Sequence, residues 1–401
     1  MRTDASGLGA QGIAAGARAG RGRVASLLLG LVLALAAAEI LLRLQGPELP
    51  CYRLDPELLH EAVPGGSRVQ RMPDPNGTRV VEVAFNELGL RGPLPRVPRD
   101  RPRVLLVGDS LVLAGNTREE QTLRAELERR LGEVEVLNAG RESYGPDQTL
   151  LWLRRRLREV EPDLVVLVLC AHNDLGDLVR NRLFRLGPGG VLERERTALA
   201  PTLIEDFEAR ARPAGGSRLL AWLRRRTAPV PPETTPDPER LLQAWLDASK
   251  AQARDATTGP PLVVDLEHDT YDADVALQPG SETARAKRAL MVAVLQELRV
   301  ELELEGVDAL AVVVPSAVDV DPSYPVRPDS ETWPDYAASN LAGALSGCAQ
   351  EAGWSVMDAT PVLAELGIEA FEAGLDFHWS AAGQAATAEL IEPRIVRLLG
   401  L

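Results

Sequence analysis

Cysteine and histidine are both scarce in this chain of 401 residues. There are three cysteines, Cys51, Cys170 and Cys348, and four histidines, His60, His172, His268 and His378. Three cysteines build neither a disulfide framework nor a cysteine-rich metal cluster. Cys170 ends an apolar run and reads as a core residue, while a Cys51 to Cys348 bridge is open to the chain after export. His268 lies between Glu267 and Asp269, but neighbours on an extended segment point to different sides, so the trio does not converge on a metal. No metal and no other cofactor is expected. Positive charge is also in deficit: 44 Lys and Arg against 58 Asp and Glu leave a net charge of −14, which argues against a nucleic-acid partner held by phosphate neutralisation. The 45% hydrophobic residues are nonetheless enough for a large core.

The run from Val24 to Leu42 approaches membrane length, with Glu39 as its one charge. It matches a bilayer core of about 30 Å, and Glu39 is spaced to pair with Arg43 one helical turn later. Arg2, Arg18, Arg21 and Arg23 precede it against Asp4 alone, so the N-terminus is expected inside and the body outside. A cleaved signal peptide is the competing reading, with Leu27 to Ala38 as its apolar region and Ala36-x-Ala38 as the cleavage signal. The long basic segment and the continuation of the run past Ala38 favour an uncleaved anchor. The expectation is a cytosolic segment over 1–23 and a transmembrane signal anchor over 24–44. The protein would then be a single-pass protein of the cell membrane, its main domain on the outer, periplasmic or extracellular, side. Pro50 argues against a lipoprotein site at Cys51.

The stretch that organises the rest is Arg103 to Gly115, RVLLVGDSLVLAG. Val104 to Val107 read as a short buried strand and Gly108 as a sharp exit from its carboxyl end. A serine there lies at the rim of a parallel sheet, where open α/β folds place their chemistry. Ser110 is therefore a candidate nucleophile, although Asp109 and Ser110 could equally cap a helix. A nucleophilic serine needs a base and the base an orienting carboxylate. With four histidines the search is short, and Asp376-Phe377-His378-Trp379-Ser380 places a carboxylate where it can hold the imidazole's other nitrogen.

Four segments, in order, resemble the blocks of the SGNH/GDSL hydrolase family. They are Gly108-Asp109-Ser110-Leu111; Asn138-Ala139-Gly140 with Tyr144-Gly145 and Gln148; His172-Asn173-Asp174; and Asp376-x-His378-Trp379-Ser380 followed by Gly383. The resemblance covers roughly residues 80 to 180 and 305 to 400. It implies a three-layer, flavodoxin-like α/β fold with a central parallel sheet. It also implies a catalytic triad of Ser110, His378 and Asp376, and an oxyanion hole formed by the Ser110 and Gly140 backbone amides and the Asn173 side chain. Two features depart from the usual pattern: Ala171 replaces a glycine two positions before Asn173, and Asp376 lies two rather than three residues before His378. The shorter spacing, with Trp379 after it, is similar to membrane-anchored members and to the alginate O-acetyltransferase branch. The implied activity is a serine ester hydrolase acting on an ester-bearing substrate, such as an acylated glycan or cell-envelope material. An O-acetyltransferase using the same triad and a non-catalytic scaffold are the alternatives. Asp109 and Asp174 read as structural, Tyr144 and Trp379 as packing around the site, and His172 as a rim residue bonded to a neighbour.

The remaining chain divides by composition. Residues 45–100 form a Pro, Gly and Arg-rich approach segment with one or two edge strands near Val80 to Phe85. Its Asn86-x-x-Gly89-x-Arg91 resembles a segment of anchored family members and is assigned no chemistry, and Asn76-Gly77-Thr78 matches a glycosylation sequon. Residues 101–179 carry the first part of the hydrolase domain. Helices are expected at Glu119 to Leu131 and Asp147 to Glu159, and strands at Glu135 to Leu137 and Leu164 to Leu169. The Arg154-Arg155-Arg156 run reads as a solvated face. Residues 180–304 form a helical insertion or lid, with helices at 203–212, 216–226, 238–254 and 281–304 and a Pro-rich linker at Ala228 to Pro232. Residues 305–401 complete the domain, with strands at Ala309 to Val314 and Ser355 to Met357. Helices follow at Tyr336 to Ala352 and, capped by Ser380, at Ala381 to Leu399.

Overall fold

A computed structural model of the chain describes residues 9–44, 49–74, 77–211, 217–227, 237–266 and 270–401. His268 with its acidic neighbours, Asn76 of the sequon and the linker 228–232 lie outside them. The chain forms two units, Met1–Glu48 with Arg212–Pro229, and Leu49–Ala211 with Val230–Leu401. In the first unit, α1 (Gly9–Leu44) contains a 19-residue stretch, Ser26–Leu44, long and apolar enough to cross a bilayer. Arg43 donates to Glu39 at 2.7 Å, as the spacing predicts.

The second unit starts with two antiparallel hairpins, β1 (Tyr52–Asp55) with β2 (Leu59–Ala62) and β3 (Ser67–Asp74) with β4 (Gly77–Ala84). They are separate two-stranded sheets rather than the edge strands expected, and Leu58, Leu59 and Leu90 carry this segment into the main core. Then come β5 (Arg103–Val107), α2 (Ser110–Leu113), α3 (Leu123–Leu131), β6 (Glu135–Asn138), α4 (Pro146–Val160), β7 (Leu164–Cys170) and α5 (Asp174–Asn181). The helix expected from Glu119 starts only at Leu123, because the Thr122 hydroxyl accepts from the Ala125 amide and splits off a 3-10 turn at Glu119–Gln121.

Beyond residue 181 lie β8 (Phe184–Leu186), β9 (Leu192–Arg194), β10 (Ala198–Leu199), α6 (Pro201–Ala211), α7 (Arg218–Thr227), α8 (Pro238–Thr258), β11 (Leu262–Val263), α9 (Ala273–Leu277) and α10 (Glu282–Leu304). The region is thus not purely helical: β8 pairs with β9 and β10 with β11. The chain ends with β12 (Asp308–Val314), α11 (Ala317–Val320), α12 (Asn340–Glu351), β13 (Val356–Asp358), α13 (Thr360–Leu366) and α14 (Ala381–Leu399). Helix α12 begins later than Tyr336, since separate turns close over that stretch: the Tyr336 amide donates to the Trp333 carbonyl at 3.0 Å and the Asn340 amide to the Ala337 carbonyl at 2.8 Å.

The central sheet has the order β13-β12-β7-β5-β6, with every pairing parallel. Read in chain order of these five strands this is 2-1-3-4-5 from the β6 edge, the flavodoxin-like doubly wound arrangement. Strands β5, β6 and β7 are buried along their whole length, as strands covered on both faces must be. Helices α3 and α14 pack together on one side, and α10 packs on α4, α5, α12 and β12 on the other. Helix α10 therefore occupies the crossover between β7 and β12 and belongs to the layered core. All three cysteines are buried and free, so no Cys51 to Cys348 bridge exists.

Candidate active site

Parallel order brings the carboxyl ends of β5, β6 and β7 together, and reversal of strand order between β5 and β7 opens a crevice there. Gly108 leaves β5 at φ +151°, and a Cβ on it would meet the Val168 carbonyl oxygen at 2.7 Å. Glycine is thus needed for the turn that lifts Ser110 to the rim. Asp109 Oδ1 accepts from the Leu111 amide at 2.9 Å and starts α2.

His378 reaches this point from the loop before α14. Its Nε2 lies 2.7 Å from Ser110 Oγ, and its Nδ1 lies 2.6 Å from Asp376 Oδ1. The His378 backbone amide also donates to Asp376 Oδ1 at 2.9 Å, so the two-residue spacing closes a small turn in which one carboxylate oxygen holds both nitrogens. Burial alone would raise the Asp376 pKa. The His378 charge and the two His378 hydrogen bonds outweigh it and hold the carboxyl below its usual range. The loop is anchored by Trp379, fully buried, whose Nε1 donates to the Leu111 carbonyl at 2.9 Å, and by Ser380, which caps α14.

The donors expected for an oxyanion are near but partly engaged. The Gly140 amide donates to Asn138 Oδ1 at 2.9 Å, so it is not a free donor: Asn138 folds back on its own loop. A Cβ at Gly140 would lie 2.2 Å from the Leu113 backbone nitrogen, so the absence of a side chain is what lets this loop pack on α2. Asn173, fully buried, gives one Nδ2 hydrogen to Asp177 Oδ2 at 3.0 Å. A primary amide has a second N–H to give. Arg180 holds Asp177 at 2.8 Å and the Ser143 carbonyl at 2.6 Å, linking Asn173 to the loop after β6. Ala171 is buried, and its amide continues the β7 ladder to the Val314 carbonyl at 2.9 Å.

Asp174 accepts from the Cys170 amide at 2.7 Å, a structural role. Burial, then the charges of Asp109 and Asp177, push its pKa well above the usual carboxylate range. Tyr144 donates to the His60 carbonyl at 2.7 Å. His172 bonds a side chain rather than backbone: its Nδ1 is 2.9 Å from Ser316 Oγ, and its ring stacks on Phe377 at 3.9 Å.

The cleft around Ser110 and His378 is lined by Tyr52, His60, Arg68, Glu142, Ser143, Phe207 and Leu266. Three of these come from the approach segment, which sequence reasoning left without chemistry. Arg68 forms a two-pronged ion pair with Glu142, with Nη2 2.5 Å from Oε1. The His60 Nε2 faces the Glu142 carbonyl at 2.9 Å, the Tyr52 hydroxyl accepts from the Glu142 amide at 3.1 Å, and burial lowers the His60 pKa to about 4. Ser143 has a left-handed backbone, φ 55°, an uncommon state for a residue with a side chain and one that collects at functional sites. No local pattern announces this wall, since Arg68 and Glu142 are 74 positions apart.

No family model matches the chain, and neither does any curated protein. Among solved structures the chain is similar to a lipase/acylhydrolase from Enterococcus faecalis at 12% identity and TM-score 0.35, covering 73% of this chain and 95% of that one. It is also similar to an acetyl xylan esterase from Geobacillus stearothermophilus at 13% identity and TM-score 0.33, covering 75% and 94%. A third is the psychrotrophic esterase EstA from Pseudoalteromonas sp., at 10% identity and TM-score 0.34, covering 75% and 99%.

Proposed function

We propose that this chain is a serine ester hydrolase of the SGNH/GDSL type, held in the cell membrane by the apolar end of α1 and acting outside on O-acyl groups of carbohydrate or cell-envelope material. The observation that carries the reading is the relay from Ser110 Oγ to His378 Nε2 at 2.7 Å and from His378 Nδ1 to Asp376 at 2.6 Å, in the crevice where open α/β sheets bind ligands.

In this reading the Ser110 oxygen attacks the ester carbonyl carbon while His378 Nε2 takes its proton. Asp376 stabilises the imidazolium. Collapse of the tetrahedral intermediate breaks the bond to the alcohol, which leaves with the proton from His378. Water then attacks the acyl-serine, gives a proton to His378, and the carboxylic acid departs as Ser110 regains its hydrogen. The developing oxyanion takes the Ser110 amide and the second Asn173 N–H, and shares the Gly140 amide with Asn138. The cleft wall supports a hydroxyl-rich alcohol: the Arg68–Glu142 pair, Tyr52 and Ser143 offer donors and acceptors with little net charge. Four arginines in the first 23 residues support the outward orientation.

The test uses the full chain in detergent, with fluorophosphonate labelling and p-nitrophenyl acetate hydrolysis for wild type, Ser110→Ala and His378→Ala. Labelling and turnover in wild type, both lost in Ser110→Ala, are expected. A folded wild type that neither labels nor hydrolyses the ester overturns the reading. Acetylated glycerol as the main product, when glycerol is added, replaces hydrolysis by transfer.

A further inference from the structure

Glu39, the one charge within the apolar run of α1, does more than pair with Arg43. Its carboxylate accepts from the Ser217 hydroxyl at 2.7 Å and from the backbone amides of Leu219 at 2.9 Å and Arg218 at 3.1 Å. These are the first donors of α7, so a carboxylate on one helix caps the N-terminus of another, where orphan N–H groups and the helix dipole favour a negative group. Arg218 Nη1 closes the joint by donating to the Leu42 carbonyl at 3.0 Å. Helix α7 is thereby docked on the last two turns of α1.

The composition of α7 is divided along its length. After Arg218 come Leu219, Leu220, Ala221, Trp222 and Leu223, then Arg224, Arg225 and Arg226, with no acidic residue in the helix. Leu220, Trp222 and Leu223 are 55%, 39% and 38% exposed. They continue the exposed apolar surface of α1, where Ile40 and Leu41 are 56% and 61% exposed. Glu39 precedes the end of α1 by five residues, about 7 Å at a rise of roughly 1.5 Å per residue. That is within the depth of about 5–10 Å at which interfacial amphipathic helices lie.

We propose that α7 is an interfacial helix that lies on the outer bilayer surface, burying Leu220, Trp222 and Leu223 at the headgroup boundary and setting Arg224, the first of three consecutive arginines in the sequence, against the phosphates of anionic phospholipids. The proposal rests on the membrane-anchor reading. The occupant follows from continuity with the apolar span and from charge: three consecutive arginines match anionic headgroups, and a tryptophan beside a span is a membrane-interface residue.

The experiment reconstitutes the full chain in nanodiscs of phosphatidylcholine with or without phosphatidylglycerol, their acyl chains either plain or brominated near the headgroup. Trp222 is the one tryptophan of its unit; the others, Trp152, Trp245, Trp333, Trp354 and Trp379, belong to the other unit. The fluorescence difference between wild type and Trp222→Phe therefore reports α7. It is expected to fall by at least about half in brominated discs containing phosphatidylglycerol, the depth range of an interfacial helix. It is expected to fall less without that lipid, and less when Arg224, Arg225 and Arg226 are all replaced by glutamine. A difference unaffected by bromine, with the protein still in the disc, overturns the interfacial helix and leaves the anchor standing. Quenching that ignores both phosphatidylglycerol and the arginine replacements overturns the anionic-lipid assignment. A chain released from membranes by alkaline carbonate overturns the anchor itself.

Discussion

His172 and His378 both stack on Phe377, at 3.9 and 4.5 Å, yet they meet different surroundings. His378 has a carboxylate at 2.6 Å; His172 is 3% exposed, and burial, then the neighbouring His378 charge, lower its pKa from 6.5 to about 3. Between those values the unfolded chain binds a proton at His172 that the folded protein refuses, so this residue's contribution to stability falls as pH falls. Chemical denaturation of wild type and His172→Gln at pH 7, 6, 5 and 4 is expected to show wild type losing up to about 1.4 kcal/mol per pH unit relative to the variant below pH 6.5. A difference independent of pH would mean that His172 takes up its proton as readily in the fold as in the unfolded chain. At Asn173 the expectation concerns rate. Removing one oxyanion donor costs about 2.7–4 kcal/mol of transition-state stabilisation, so Asn173→Ala is expected to lower kcat by about 10²–10³ while the protein stays folded. The Asp177→Asn variant should act in the same direction through the amide it orients, lowering kcat with little change in KM.

At the scale of elements, the helix that carries Ser110 is held from behind by a residue of the approach segment. Arg91 is 1% exposed; its guanidinium donates to the carbonyls of Leu113, Ala114 and Thr117, the last at 2.7 Å, and its Nε donates to Glu119 at 2.9 Å. The Leu113 and Ala114 carbonyls end α2, which has only four residues and little stability of its own. The segment resembling Asn-x-x-Gly-x-Arg thus has a mechanical purpose. Asn86 Oδ1 accepts from the Leu88 and Leu90 amides and sets the turn that delivers Arg91. Arg91→Ala leaves several buried carbonyls without a donor, and charged hydrogen bonds contribute about 1.5–3 kcal/mol each. A lower melting temperature and slower fluorophosphonate labelling of Ser110 are expected, with Arg91→Lys intermediate. On helix α4 the run Arg154-Arg155-Arg156 lies on the solvated face expected of it, and two of its members are paired there: Arg154 and Arg155 are exposed, Arg154 pairs with Glu301 at 2.5 Å and Arg155 with Asp55 and Glu57 at 2.9 Å, tying the helix to α10 and to the first hairpin.

For the whole molecule, residues 237–304 are built into the frame that holds Asn173. Lys287 of α10 is fully buried and donates to Ser249 at 2.7 Å, Asp272 at 2.8 Å and Asp274 at 2.9 Å. Asp272 in turn accepts from the Gly176 amide of α5 at 2.9 Å and donates through its own amide to the His172 carbonyl at 2.8 Å. One cation therefore ties α8, α9 and α10 to the helix carrying the candidate oxyanion donor. Removing one member of such a buried set leaves uncompensated charge and costs about 3–5 kcal/mol. Urea unfolding is expected to place Lys287→Met below wild type by that amount, with Asp274→Asn added to Lys287→Met recovering part of it. Equal stability of Lys287→Met and wild type would show that the cluster is neutral to the fold.

Much of the frame was legible in the sequence because its signals are local. Apolar runs announced β5, β7 and β12, Ser380 announced the start of α14, and the scarcity of histidine narrowed the search for a base to four residues. The run ending in Glu39 and Arg43 announced the membrane-length helix. What only the tertiary structure decided depends on contacts between residues far apart in the chain. The approach segment reads as one or two edge strands in a stretch rich in proline, glycine and arginine, with no chemistry assigned, yet it supplies Tyr52, His60 and Arg68 to the cleft and Arg91 to α2. Helix α10 reads as part of an insertion, since nothing in its own periodicity says that it crosses from β7 to β12. The Gly140 amide reads as a free donor until Asn138 folds back onto it. A motif names the residues that can take part in the chemistry, but which donor is free, which cation is paired and which wall faces the nucleophile are set by packing across the sheet's carboxyl edge.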